Sequence, residues 1–374
     1  MQWYECRLKS KGSGPTPTPI ITTGVYGAEW AGTSSPAWTR TDDSASFSDP
    51  NPYYAGMSDT PSSPFDNIMP WAGMKIVEDA DAGTLVEIPK FWYKWTRSGS
   101  SMKLQVSPEE QTGTGWYVSP AHANRGDGTG VRDVVYVGRY HCATSTYKST
   151  TGVAPQATQT RATFRSSIHN LGTKVWQYDF AMWWTINMLY LVEFANWNSQ
   201  EKIGYGRSTS GAIMNMGYTD AMQYHTGTTA ASRTTYGGTQ YRYIEGLWDS
   251  VLDWCDGIYF SGQTVYAIKN PSSFSDTSGG TNVGTRPTAS GVATAWNNPS
   301  TSGFEYALYP SATTSDSSYS TYDCDSCYYN ASGVGLCVGG GYSQYQSCGL
   351  FYLYGNNAAT SSNASIGGRL QKLP

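Results

Sequence analysis

The spacing of apolar positions predicts one strong helix. Between residues 172 and 197, large apolar side chains recur at the three- and four-residue spacing of an α-helix. The members of this stripe are Trp176, Phe180, Trp183, Trp184, Met188, Leu191 and either Phe194 or Ala195. Other apolar residues fall outside the stripe, so we expect the helix to be buried on most sides. Thr173 or Asp179 begins the predicted helix, residues 196–199 end it, and a weaker helix is predicted at residues 147–150.

Alternating or continuous runs of apolar and β-branched residues predict short strands through most of the remaining chain. The predicted strands lie at residues 24–30, 38–41, 74–77, 85–95, 103–106, 116–119, 134–141, 304–309, 336–340, 349–354 and 366–370. We expect a hairpin across residues 98–100 and a second strand pair between 116–119 and 134–141. Trp248 and Trp254 are expected to anchor the core. Mostly short strands with one or two buried helices indicate an α+β fold with long loops.

Composition separates a short N-terminal segment from a long globular remainder. Residues 1–19 end in a Pro/Gly-rich linker, and we expect them to attach the chain to a larger assembly. Residues 20–133 are turn-rich and contain several of the predicted strands. Residues 277–288 are rich in Gly, Ser and Thr and are predicted to be a loop, as is the long polar stretch that Pro310 opens.

The charge balance and the apolar runs exclude two classes of partner. Only 14% of the 374 residues are charged, and the net charge at pH 7 is -4. Binding to the phosphates of nucleic acid requires a basic face, so nucleic acid is not an expected partner. The best candidate for a membrane span, residues 180–192, is shorter than the roughly 20 residues that cross a bilayer and contains Asn187. We therefore expect no membrane insertion.

Candidate catalytic and metal-binding groups are sparse. Among seven cysteines, only Cys324 and Cys327 have the spacing of metal ligands, and no second pair completes a tetrahedral zinc site. The four histidines are scattered, and the Gly-x-Ser-x-Gly motif of hydrolase nucleophiles is absent. Asp249, Asp253 and Asp256 lie close in sequence, which leaves a glycosidase carboxylate pair as an alternative.

The C-terminal part has an unusual composition. Residues 315–330 and 335–370 are rich in Tyr, Ser, Asn, Asp and Cys, with three consecutive glycines at 339–341. Tyr gives broad amphipathic contact at low entropic cost, and Ser, Gly and Asn give adaptable hydrogen bonds, as in antibody binding surfaces. The alternative interpretation is a polar, Gly-rich end of a β domain without a binding role.

Five segments, in the same order along the chain, resemble the C-type lectin fold of the formylglycine-generating-enzyme subtype. They are residues 135–140 with 144–147, 184–195 with 203–206, 246–254, 339–342 and 363–370. In that family they correspond to the opening strand and helix, the long helix and its following turn, the G-N-V-W-E-W strand, the R-G-G-S-W segment and the closing N-x-G-F-R-L strand. The resemblance implies a C-type lectin-like core over residues 134–374, on which residues 20–133 pack or of which they form part.

Two groups of proteins with this fold differ in one requirement. The enzyme oxidises a substrate cysteine and needs a pair of its own cysteines shortly after the Gly-Gly segment to hold copper. Here only Cys348 follows that segment, whereas Cys337 precedes it, and a lone thiol does not make a two-thiolate copper site. The resemblance therefore favours the other group, the variable proteins of diversity-generating retroelements and their relatives in phage tails.

Proteins of that group change their C-terminal binding surface by mutation of adenines, commonly in AAC-type codons. Such codons can become Tyr, Ser, Asp, Asn or Cys but not Gln, so we expect Gln344 and Gln346 to be scaffold. The resemblance implies a variable, ligand-binding region at about residues 310–370. Its predicted ligand contacts are Tyr319, Tyr322, Asp323, Asp325, Tyr328, Tyr329, Asn330, Tyr342, Ser343, Tyr345, Ser347, Cys348, Tyr352, Tyr354, Asn356 and Asn357.

The resemblance implies a non-enzymatic receptor-binding protein at the virion tail tip of a phage or prophage. The implied partners are a bacterial cell-surface protein or glycan at the C-terminal surface and phage tail proteins at the N-terminus, with a homotrimer as the expected assembly. Residues 66–71 and 88–95 also look like tail proteins of gut phages. No cofactor is required, and C-type lectin relatives often hold a structural calcium ion with carboxylate and carbonyl oxygens. The alternative function is a formylglycine-generating-type oxidase or a glycan-degrading tail enzyme.

Overall fold

A computed structural model of the chain describes residues 19–209, 211–298, 301–316 and 318–374. The N-terminal attachment segment predicted at residues 1–19 lies outside the described residues, apart from Pro19. The chain is 32% strand and 11% helix, with the strands distributed over several sheets. This composition is compatible with the predicted α+β class. None of the described helices is both long and apolar enough to cross a membrane.

The helices contain few residues, and one of them is central. The helices are α1 Arg161–His169, α2 Phe180–Phe194 and α3 Ser199–Lys202, with 3-10 turns at Trp71–Gly73, Pro271–Ser273 and Tyr345–Ser347. Every residue of α2 is buried, as the apolar pattern around the whole helix predicts. The position of α2 in the core means that sheets pack against it on several sides.

Asp179 sets the N-terminus of α2. Its Oδ1 accepts a hydrogen bond from the backbone N–H of Met182 at 2.8 Å, which is the N-cap geometry that satisfies a free helix donor. Its Oδ2 accepts from Arg125 Nη2 and Gln371 Nε2, both at 2.7 Å. Of the two predicted starting residues, Asp179 is therefore confirmed, and Ala195, with φ 48°, ends the helix in the left-handed conformation.

The strands are short, as the sequence predicts. In chain order they are β1 Tyr26–Trp30, β2 Thr39–Asp42, β3 Tyr53–Tyr54, β4 Lys75–Asp79, β5 Gly83–Pro89, β6 Trp92–Ser98, β7 Ser101–Ser107, β8 Tyr117–Val118, β9 Val134–Gly138, β10 Val175–Gln177, β11 Gly227–Thr228, β12 Thr239–Tyr241, β13 Ile244–Glu245, β14 Leu252–Cys255, β15 Ile258–Ser261, β16 Thr264–Ala267, β17 Thr281–Thr285, β18 Gly291–Trp296, β19 Pro310–Thr314, β20 Ser326–Tyr329, β21 Gly335–Val338, β22 Leu353–Asn357, β23 Ile366–Gly367 and β24 Leu370–Lys372.

Within the described residues these strands form five sheets. Their strand orders are β2-β1-β7-β6-β8, β10-β24-β9-β5-β4, β13-β12-β11-β3, β19-β18-β20-β22-β21-β14-β23 and β15-β16-β17. The second sheet joins β4 and β5, from the N-terminal third of the chain, to β24 at its end. The seven-stranded sheet is built from residues after 250 and carries most of the C-terminal segment.

Two pairing predictions have opposite outcomes. The hairpin across residues 98–100 is confirmed, because Ser98 lies opposite Ser101 in the antiparallel register of β6 and β7. The predicted pair between residues 116–119 and 134–141 is wrong. β8 pairs with β6, whereas β9 lies between β5 and β24 and has a partner on each side. A strand can pair with a neighbour in sequence or with a distant strand. The residue pattern of the strand does not show which of the two partners it takes.

Several local predictions are also wrong. Residues 147–150 are irregular, with a bend at 148 and an isolated bridge at 149. The helix that the sequence misses is α1, whose polar sequence buries only Arg161, Phe164 and Ile168. Residues 304–309 are turns rather than a strand. Strands β17, β19 and β20 occupy stretches that the sequence composition assigns to loops. The core prediction is confirmed, since Trp248 and Trp254 are both fully buried.

Candidate functional site: a tyrosine-lined cleft

Three tyrosine rings lie side by side on the seven-stranded sheet. Strands β20 and β22 run parallel, and Tyr328 lies directly opposite Tyr354 in their register. Tyr352 lies just before β22, two residues from Tyr354, and therefore shares its side of the strand. The ring centroids are 5.3 Å apart for Tyr328 and Tyr354, 5.7 Å for Tyr328 and Tyr352, and 6.2 Å for Tyr352 and Tyr354. These separations are those of favourable aromatic pairs.

The three rings belong to the lining of a cleft of about 520 Å³, which we call the tyrosine cleft. Its lining residues are Tyr319, Tyr328, Ser343, Gln344, Tyr345, Ser347, Tyr352 and Tyr354. None of these side chains carries a charge at neutral pH. The fold thus brings residues of the 315–330 segment together with residues that follow the triple glycine.

Tyr345 is the most exposed ring of the cleft, with 59% of its surface accessible. Two hydrogen bonds fix its backbone. The N–H of Tyr345 donates to the carbonyl of Ser208 at 3.3 Å, and its own carbonyl accepts from Gln200 Nε2 at 3.0 Å. Because the main chain is fixed while the ring is free, Tyr345 is placed to contact a ligand with little loss of backbone entropy.

Asp316 organises the loop that carries Tyr319. Its carboxylate accepts hydrogen bonds from the N–H of Ser318 at 2.8 Å, the N–H of Thr321 at 3.2 Å and the hydroxyl of Thr321 at 2.6 Å. Partial burial raises the pKa of Asp316, but the hydrogen bonds from Thr321 and Ser318 outweigh it and hold the pKa below the ordinary value. The ionised carboxylate therefore acts as a fixed acceptor for the loop.

Four residues of the same segments have a strained backbone conformation. Tyr319, Tyr322, Cys324 and Tyr345 have φ values of 51°, 55°, 65° and 55°. This left-handed region is uncommon for residues with a side chain, and each such residue costs on the order of 1–2 kcal/mol. Strained residues persist only where the surrounding structure fixes them, and they cluster at binding sites.

Five predicted contact residues are in fact buried, which corrects the sequence prediction. They are Asp323, Asp325, Ser347, Cys348 and Tyr352, with exposed fractions of 1%, 2%, 7%, 0% and 1%. Ser347 and Tyr352 still line the base of the tyrosine cleft. Asp323, Asp325 and Cys348 do not line it and support the segment from beneath. The types of residue that a changeable codon permits do not reveal which way a side chain faces.

The two buried carboxyls have structural partners. Asp323 Oδ1 accepts from the N–H of Ala293 at 2.8 Å, and Asp325 Oδ2 accepts from the N–H of Phe351 at 2.7 Å. Burial raises the pKa of both groups well above the ordinary value, and the neighbouring Asp325 adds to the shift of Asp323. These side chains therefore anchor the contact loop to strand β18 and to the segment that precedes β22.

Cys348 is a structural thiol in this arrangement. Its Sγ lies 3.3 Å from the Tyr345 carbonyl and 3.5 Å from Gln200 Nε2. Burial raises its pKa well above the ordinary value for a thiol. Both Cys348 and Cys337 are free thiols, and Cys337 has a different partner, the Nδ2 of Asn357 at 3.5 Å.

The remaining predicted contacts lie outside the tyrosine cleft. They are Tyr322, Tyr329, Asn330, Tyr342, Asn356 and Asn357. Tyr322 packs partly against the core, and the Tyr329 ring centroid is 4.8 Å from the guanidinium carbon of Arg286. Arg286 also donates to the Asn330 carbonyl at 2.9 Å. These residues are at least partly exposed but do not line the tyrosine cleft, so the structure separates the predicted contacts into two groups.

Two smaller clefts lie near the tyrosine cleft, and the sequence does not reveal them. The amide cleft, of about 200 Å³, is lined by Asn198, Gln200, Glu201, Tyr205, Ser318, Tyr319, Ser320 and Gln346. The arginine cleft, of about 350 Å³, is lined by Arg207, Thr209, Thr229, Tyr236 and Gly237. Most of these residues belong to the stretch 198–237, which is distant in sequence from the C-terminal segment. An unusual Tyr and Thr content is the only sequence signal, and it does not distinguish this stretch from others.

The carboxylates that suggest glycosidase chemistry are used in the core. Asp253 is paired with His141 at 2.7 Å and Arg369 at 3.1 Å, and Asp256 is paired with Arg165 at 2.5 Å. All these aspartates, including Asp249, are buried. In the part of the chain that the structure describes, no group of three or more His, Cys, Asp or Glu side chains is arranged to hold a metal ion.

Comparison with other proteins does not identify a family for this chain. Neither the models of known protein families nor curated protein sequences match the chain. The function is therefore inferred from the chemistry and geometry of the cleft.

Proposed function

We propose that this chain is a non-enzymatic ligand-binding protein, the receptor-binding protein of a phage or prophage tail, whose tyrosine cleft contacts the bacterial host. One observation carries the proposal: two separate segments with the composition of changeable codons converge on a single cleft. Seven of the eight lining residues belong to the predicted contact set, and the eighth is Gln344. A polar chain end without a binding role does not require such convergence.

The chemistry of the cleft suits recognition rather than catalysis. Tyrosine rings offer large apolar faces and one hydroxyl each, and they lose little rotamer entropy on binding. The lining holds no carboxylate, imidazole or accessible thiol that could act as an acid, base or nucleophile. Binding at one such site is expected to be modest, and a homotrimer on a tail tip would raise the avidity.

The proposal includes a C-type lectin-like scaffold with replaceable side chains on its surface. Gln344 supports this division, since its Oε1 accepts from the N–H of Gly341 at 2.7 Å and so holds the turn that presents Tyr345. The cleft residues around it can then vary without loss of the turn. In the same proposal, residues 1–19 attach the chain to other tail proteins.

Adsorption to bacteria tests the proposal. The labelled chain is incubated with a panel of bacterial strains, and a Tyr328→Ala, Tyr345→Ala, Tyr354→Ala variant is compared with it. Tyr329→Ala is the matched control, because Tyr329 follows Tyr328 on β20 but does not line the cleft.

We expect the triple variant to lose at least tenfold in adsorption to any strain that the parent chain binds, because each ring supplies buried contact area. The Tyr329 control should bind as the parent does, and thermal unfolding should show that both variants are folded. Equal adsorption of the triple variant and the parent chain would overturn the proposal.

A further inference from the structure

Among the described residues, Arg207 is a cation without an anionic partner at the edge of the candidate site. Its guanidinium carbon lies 5.3 Å from the ring centroid of Tyr218, and it lines the arginine cleft. Its Nε is buried and has no hydrogen-bond partner among the described residues. No ion pair found in that part of the chain includes Arg207. A desolvated donor without an acceptor is unfavourable, and an incoming anion would satisfy it.

The arginine cleft is linked to the tyrosine cleft through residues of the amide cleft. The rings of Tyr236 and Tyr205 are 5.3 Å apart, and they line the arginine cleft and the amide cleft respectively. Tyr319 lines both the amide cleft and the tyrosine cleft. Ser208, the residue after Arg207, accepts the hydrogen bond from the Tyr345 backbone. A ligand of several units can therefore contact all three clefts at once.

The side chains of the three clefts suit a carbohydrate better than a protein. Their lining consists of tyrosines, hydroxyl and amide side chains, glycine, Arg207 and Glu201. Aliphatic side chains, which form the dry pockets that receive the anchor residues of a protein partner, are absent from this lining. Sugar rings present hydroxyls to polar side chains and C–H faces to aromatic rings, which is what this surface accepts.

We propose that the ligand is an acidic glycan, with its anionic group bound by Arg207 and its neutral sugars on the tyrosine rings of the adjoining clefts. Guanidinium binds a carboxylate or a phosphate through two parallel hydrogen bonds, so the anion is either a uronic acid or a phosphodiester. This inference rests on the proposed function, because it takes the tyrosine cleft as the contact surface.

A glycan array tests the inference. It carries length-matched neutral, uronic-acid-containing and phosphodiester-linked oligosaccharides, together with a polyglutamate peptide. The parent chain, Arg207→Gln and the tyrosine triple variant are compared. Arg233→Gln is the matched control, because Arg233 is a surface arginine that lies over Tyr54 and lines none of the three clefts. Binding of the parent chain at low and high salt gives a readout that needs no variant.

The parent chain should bind one acidic class at least roughly tenfold more tightly than its neutral counterpart, the size of one hydrogen bond to a charged group. High salt should remove that preference. Arg207→Gln should abolish the preference, Arg233→Gln should retain it, and the triple variant should lose binding to acidic and neutral glycans alike. The preferred class distinguishes the uronic acid from the phosphodiester.

Three results would overturn the inference: equal binding of acidic and neutral glycans, an acidic preference that survives Arg207→Gln, or binding of polyglutamate without binding of any glycan. None of these results contradicts the tyrosine cleft as the surface that contacts the host. Failure of the proposed function has a different signature, since the triple variant would then adsorb to bacteria as the parent chain does.

Discussion

Tyr328 and Tyr354 lie directly opposite each other on two parallel strands, with their ring centroids 5.3 Å apart. Between them in sequence lie a turn, another strand and the triple glycine. Their meeting on one face of the seven-stranded sheet joins the two polar segments into a single surface. The tyrosine cleft is a product of strand register, because a shift of one residue would turn one ring to the other face.

The buried carboxyl of Asp325 gives a pH-dependent prediction. Burial raises its pKa in the folded chain, so its contribution to stability is fully present below the unfolded pKa of about 4 and is lost as the pH rises. Asp325→Asn keeps the acceptor for the Phe351 N–H and cannot ionise. We expect it to stabilise the chain at pH 8 and to have little effect at pH 4.

Thermal or denaturant unfolding at the two pH values measures this difference. The same comparison for Asp323→Asn should change in the same direction, because its pKa is also raised by burial. A change in stability that is equal at pH 4 and pH 8 would show that the carboxyl is not buried as described.

Asp179 is expected to be essential for the central helix. Asp179→Ala removes the N-cap acceptor of α2 and leaves the buried Arg125 without its carboxylate, so the free energy of unfolding should fall by about 3–5 kcal/mol. Asp133→Ala is the control, since its ion pair with Lys90 is at the exposed surface and should contribute little. Denaturant titration distinguishes them, and similar losses would contradict the structural role of Asp179.

A methyl group at Gly349 is expected to disturb the base of the site. A Cβ at this position would lie 2.4 Å from Asp325 Oδ1, which is closer than non-bonded atoms approach. Gly349→Ala should therefore destabilise the chain by about 1–3 kcal/mol. Gly113→Ala, where the nearest atom lies at 3.4 Å, is the control. If the free energy of unfolding of Gly349→Ala equals that of the parent chain, Asp325 does not lie against residue 349.

The buried thiol of Cys348 should resist alkylation. It is fully buried and its pKa is raised, so the reactive thiolate is scarce in the folded chain. Iodoacetamide followed by peptide mass spectrometry should modify Cys348 only after unfolding. Rapid modification in the native chain would contradict the burial of Cys348 and would show that it belongs to the exposed contact surface.

The sequence predicts the framework of the fold better than its pairings. The helix cap at Asp179 and the buried Trp248 follow from local residue chemistry and apolar spacing, and both are confirmed. β9 pairs with β5 and β24 rather than with β8, and the residue pattern of one strand does not determine which strands it pairs with. Helix α1 escapes prediction because three buried residues in a polar stretch give a weak period.

The residues of the candidate site are likewise predicted only in part from the sequence. Composition identifies Tyr328, Tyr345 and Tyr354 because their residue type suits contact wherever it is exposed. It fails for Cys348, whose burial depends on packing beneath the turn. It also misses Tyr205 and Tyr236, since only the folded chain brings their segment beside the C-terminal one. Whether a side chain faces the cleft is decided by register and tertiary packing.

Protection of Tyr345 on the cell surface shows whether the tyrosine cleft contacts the host. The chain, free or bound to a bacterial strain that adsorbs it, is nitrated with tetranitromethane, and modified peptides are quantified by mass spectrometry. Tyr117 is the internal control, because it is 39% exposed and lies on a different sheet. We predict that binding lowers nitration of Tyr345 severalfold and leaves Tyr117 unchanged. Equal nitration of Tyr345 in the free and the bound chain would contradict the tyrosine cleft as the host-contacting surface.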